Sequence, residues 1–110
     1  MIRQRVATAL RELAFSLGVE ANGTEWHLFG SVDRDDPDAA DIDLMILCRS
    51  DDQADFLRRT IDPDAFELPL HLALMTFGEA LEIEAVCMQK SRSIFPELTC
   101  IDSSPLRLRR

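Results

Sequence analysis

Trp26-His27-Leu28-Phe29-Gly30-Ser31 and, after a gap of nine residues, Asp41-Ile42-Asp43-Leu44-Met45-Ile46-Leu47 organise this chain. The first stretch is an aromatic and apolar run that stops at a Gly-Ser bend, which reads as a short strand over 25–29. The second is an apolar run headed by two acids. Its isoleucines and leucines alternate with polar residues only at the start, the pattern of a central strand over 41–48 with one polar end. Between them, residues 33–40 hold four aspartates and Pro37 without periodicity, and read as a loop.

The flanking sequence supplies helices. Val6, Leu10, Leu13 and Leu17 recur on one helical face, so residues 2–17 read as a helix that Gly18 stops. Residues 21–24 are a turn. Ser50-Asp51-Asp52-Gln53 has the form of a capping box and opens a helix closed by Asp62-Pro63-Asp64. Leu68 to Met75 reads as a third strand. Thr76-Phe77-Gly78-Glu79 is a second capping box, opening a helix to about Lys90 with Leu81, Ala85 and Met88 toward the core. Residues 91–110 form an edge strand or a loose tail. Helix, strand, strand, helix, strand, helix describes an α+β fold: one domain over 1–110, a small mixed sheet packed with helices.

Composition narrows the possibilities. The chain has 110 residues, enough for one modest core. No apolar run approaches the ~20 residues of a membrane span, and the amino terminus lacks a signal-peptide core, so the expected compartment is the cytoplasm. Cys48, Cys87 and Cys100 form no CxxC pair and read as reduced, mostly buried thiols. The net charge of -8 repels a phosphate backbone and argues against broad nucleic-acid binding.

The chemistry sits at the acid pair. Residues two apart on a strand share a face, so Asp41 and Asp43 stand roughly 6–7 Å apart at the backbone. Such carboxylates repel unless a cation lies between them, and Mg²⁺ or Mn²⁺ suits that donor set. Gly30 lets a backbone approach phosphate closely, and Ser31 offers a hydroxyl and an N–H. A calcium loop starting at Asp33 is excluded: it needs glycine at Asp38 and glutamate at Leu44.

These residues resemble the nucleotidyltransferase superfamily related to DNA polymerase β, in its minimal form. The signature there is an apolar residue, Gly, Gly or Ser, a gap, then Asp-x-Asp between apolar residues. Here it stands as Phe29-Gly30-Ser31, nine residues, Asp41-Ile42-Asp43-Leu44. The motif covers residues 28–46, and the element order matches over 1–90. The resemblance implies transfer of a nucleoside monophosphate, expected to be AMP from ATP, to a hydroxyl. It implies catalysis by Asp41 and Asp43 with Mg²⁺ or Mn²⁺ bound there, and triphosphate contacts from Gly30, Ser31 and Arg34.

Two departures mark this sequence. The family's third carboxylate, on a later strand, aligns with His71 in Leu70-His71-Leu72. A neutral imidazole there accepts a proton or ligates a metal but brings no negative charge. Glu67 substitutes only if the strand begins early. The loop after Ser31 is acidic rather than basic, with Arg34 its one cation, either toward phosphate or paired with an aspartate. His27, beside the bend, reads as structural or exposed. Two functional readings stand. One is an enzyme modifying a partner, as short members of this family that pair with helical toxins do. The other is a degenerate subunit that binds a nucleotide or only a partner protein, as an antitoxin or as an adaptor whose tail at 106–110 docks a separate helical domain, with acceptor recognition coming from a second chain or a dimer.

Overall fold

The computed structural model describes residues 2–83 and 92–96. Helix α1 (Ile2–Leu17) is followed by a 3-10 turn (Gly18–Ala21), strand β1 (Glu25–Phe29), the short helix α2 (Gly30–Asp33) and strand β2 (Ile42–Cys48). Then come α3 (Asp51–Thr60), β3 (Leu70–Thr76), α4 (Phe77–Ile83) and β4 (Arg92–Phe95). The strands form one mixed sheet in the order β3-β2-β1-β4. β1 runs antiparallel to both β2 and β4, whereas β2 and β3 run parallel. A parallel pair needs a crossover, and α3 provides it. The expected α+β class and mixed sheet are therefore present.

β2 is the centre of the sheet because it is apolar on both faces. Ile42, Leu44, Ile46 and Cys48 point to one side and join Val6, Ala7, Leu10 and Ala14 of α1 and Ala54 and Leu57 of α3 in the main core. Met45 and Leu47 point to the other and pack with Ala80 of α4, flanked by Phe29, Ala73 and Met75. Strand alternation places Asp43 on this second face.

Local chemistry sets the element ends. Gly18 adopts φ +59, and the chain leaves α1 through the 3-10 turn rather than stopping there. Ser50 caps α3 by accepting the Gln53 N–H at 3.1 Å, but the Gln53 side chain returns to the Arg49 N–H rather than to that of Ser50. The second capping box closes in both directions: Thr76 Oγ1 accepts the Glu79 N–H, and Glu79 Oε1 accepts the Thr76 N–H.

Three expectations shift. The third strand begins at Leu70, not Leu68, because Pro69 has no N–H to give a ladder; its carbonyl accepts the Ile42 N–H instead. Leu81 does not face the core: it is 80% exposed, while Ala80 is 6% exposed. α4 opens directly from β3, and this phase turns its small residue, Ala80, onto Met45 and Leu47. Asp41 lies one residue before β2 rather than within it. The edge-strand alternative for the tail is realised at 92–95. Ala85, Met88, Cys87, Cys100, Lys90 and the tail at 106–110 lie outside the described residues. No helix is long and apolar enough to cross a membrane among the described residues.

Leu10 is fully buried between α1 and the sheet. Leu10→Ala is expected to cost about 2–5 kcal/mol in urea unfolding, and Ser50→Ala, which removes one cap, about 1 kcal/mol.

Candidate metal and phosphate site

The register across the second sheet face builds the site. Asp43 pairs with Phe29 on β1 and with His71 on β3, forming a row of three side chains over three strands. Asp41 joins from the bend just before β2. His71 Nδ1 lies 3.5 Å from Asp43 Oδ1 and 3.7 Å from Asp41 Oδ2. One potential ligand atom from each of the three residues falls within 4.8 Å of the others. The exposure grades outward, from 24% for the Asp43 side chain to 36% for Asp41 and 64% for His71.

Gly30 closes the site from below. The chain turns there from β1 into α2 with φ +75, a conformation that disfavours any side chain. A Cβ at this position would overlap Asp43 Oδ2. The Gly-Ser bend and the acid pair therefore meet on one face of the sheet, as the sequence reading requires. Ser31 is half-buried in the first turn of α2, and its carbonyl accepts the Asp36 N–H at 3.0 Å. Arg34 caps the end of α2, exposed, and its positive charge is felt at Asp43.

Electrostatics at the pair follow from the geometry. Partial burial, and then the charge of Asp41, push the Asp43 carboxyl above the ordinary aspartate range; His71 and Arg34 pull it back without cancelling the rise. A cation bound between the carboxylates would relieve that repulsion. The donor set fits a divalent metal: two carboxylates, an imidazole and open space toward solvent.

Other sequence candidates separate from the site. Glu67 lies ahead of β3 and pairs with Arg5 at 3.3 Å, so it does not join the acid row. His27 is buried on the same face, Nε2 on Glu25 Oε1 at 3.1 Å, which makes it a structural histidine rather than an exposed one. Cys48 is a buried free thiol, pushed up to about 11 by burial.

The acidic loop has a structural use that the sequence did not reveal. Arg3 of α1 donates from Nε to buried Asp33 at 3.0 Å, and its backbone N–H donates to Asp35 Oδ1 at 3.1 Å. Those bonds tie the end of α2 and the loop to the start of α1. No local pattern announces a pair thirty residues apart. Two surface concavities of about 300 and 360 Å³ lie elsewhere, one by Arg5 and Pro37 and one by Gly23 and Pro96.

Comparison of the chain with protein-family models, with curated proteins and with solved structures finds no match.

Two outcomes test this geometry. Gly30→Ala should destabilise the fold by more than about 1 kcal/mol in urea unfolding, from backbone strain and the Asp43 overlap together. The raised Asp43 carboxyl favours the folded state when protonated, so its contribution is complete below the unfolded value and is lost as pH rises through the folded one. In chelator-treated buffer, Asp43→Asn should raise the melting temperature at neutral pH. That gain should fade as pH falls toward 3.8, the unperturbed aspartate value.

Proposed function

We propose that this chain is a minimal nucleotidyltransferase domain related to the DNA polymerase β superfamily. In this reading it moves a nucleoside monophosphate, AMP from ATP, to a hydroxyl on a partner protein or a small molecule. The observation that carries the reading is the contact of the left-handed Gly30 with the carboxylate of Asp43. It sets a bend suited to phosphate against an acid pair suited to metal.

In this assignment Asp41 and Asp43 hold Mg²⁺ or Mn²⁺. Such ions neutralise charge on the phosphate oxygens and ease deprotonation of the attacking hydroxyl. Gly30 keeps the backbone low enough for a phosphate to approach, and Ser31 offers its hydroxyl there. Arg34 adds a cation at the exposed end of α2, where the flexible end of a triphosphate can meet it. Phe29, beside Asp43 in the same row, sets apolar surface next to the acid. His71 is exposed and Asp41 partly exposed, so an acceptor reaches the row from solvent, presented by a helical partner or a second copy of the chain.

His71 supports a second reading, a degenerate domain that binds nucleotide or a partner without turnover, because an imidazole stands where the family carries an acid. Calorimetry and label transfer separate the two. Full-length protein should bind ATP in the presence of Mg²⁺ or Mn²⁺ and pass an α-phosphate label to an acceptor in extract. Asp43→Ala should reduce transfer by on the order of 10²-fold or more. Binding without transfer selects the degenerate nucleotide-binding reading, and failure to bind ATP with either metal removes the enzyme and leaves only the partner-binding role.

A further inference from the structure

The third member of the acid row is the part of the site that the resemblance does not explain. His71 is held opposite Asp43 by the parallel register of β2 and β3, so its position is fixed by the sheet and not by a loop. Its Nδ1, and not the outer ring nitrogen, faces both carboxylates, at 3.5 and 3.7 Å. An exposed strand residue has solvent in which to place its ring, yet this nitrogen lies among the same donor atoms that Asp41 and Asp43 contribute.

The chemistry of the donors then discriminates between ions. Mg²⁺ takes oxygen ligands and keeps much of its water. Exchanging a carboxylate for a neutral imidazole removes one negative charge, which weakens a purely electrostatic site. The later first-row divalent ions accept imidazole nitrogen readily, and Mn²⁺, the weakest of that series, still accepts it better than Mg²⁺, so the nitrogen bond offsets part of that loss.

Resting on the metal-binding reading above, we propose that His71 ligates metal through Nδ1 and makes this site select a first-row divalent transition ion over Mg²⁺. Asp41 and Asp43 provide the charge, and His71 provides the preference.

Mn²⁺ is the probe. Full-length protein is titrated with Mn²⁺ and the bound ion examined by pulsed paramagnetic resonance, with Mg²⁺ added as competitor. The chain has two histidines, and only His71 has a ring nitrogen grouped with Asp41 and Asp43, so loss of a nitrogen coupling in a His71 variant assigns it. The wild-type protein should show that coupling, and His71→Asp should lose it while still binding metal. The Mg²⁺ concentration that displaces half the Mn²⁺ should fall by at least about tenfold in His71→Asp. His71→Asn, which keeps a polar side chain of similar size, should lose the coupling too. Mn²⁺ bound without nitrogen coupling, and displaced equally well from wild type and variant, would overturn the role of His71 and leave the Asp41–Asp43 site standing. A folded wild-type protein that binds no Mn²⁺ would overturn both.

Discussion

No side chain fits between Gly30 and Asp43. The carboxylate of the central strand lies where a Cβ on residue 30 would be, and the backbone there is left-handed. That close approach joins the two halves of the site. It brings the end of β1 down onto the face of β2 that carries the acids, and it starts α2 at the same point. A larger residue would either push the bend away from the sheet or rotate Asp43 out of its row. The Arg3 bonds to Asp33 and Asp35 hold the far end of this turn against α1, so the bend is fixed at both sides.

The sheet has two faces with separate duties. The face toward α1 and α3 carries the main core. The opposite face begins with Asp43 and His71, continues through Met45 and Ala73, and ends with Leu47 and Met75 under Ala80. A single strand thus presents a charged end and an apolar end on one side while its other side is wholly buried. This division lets an acid pair with a strained charge distribution sit on a stable support. The repulsion between Asp41 and Asp43 is confined to the edge, where solvent or a cation can answer it.

Much of this was readable from the residues. The ends of α1 and β1, the central position of β2, and the two capping residues all follow from short-range rules: periodicity, breakers and hydroxyl caps. What escaped was either long-range or a matter of phase. The start of β3 depended on which N–H groups find a partner around Pro69. The orientation of α4 depended on how directly it leaves β3, which turned Ala80 inward and Leu81 out. The Arg3 anchor joins residues far apart in sequence. At the site itself, the spacing of Asp41 and Asp43 implied a shared face, but the meeting of Gly30 with Asp43 and of His71 with both acids required the strand register.

The proposed function requires a single seat for metal and polyphosphate formed by the Gly30–Ser31 bend and the Asp41–Asp43 pair. A crystal structure of the chain with Mn²⁺ and a non-hydrolysable ATP analogue tests it most directly. We expect anomalous density between Asp41 and Asp43, within bonding distance of His71, and phosphate oxygens against the backbone of Gly30 and Ser31. A nucleotide bound at another surface, with the carboxylates free of metal, would contradict it.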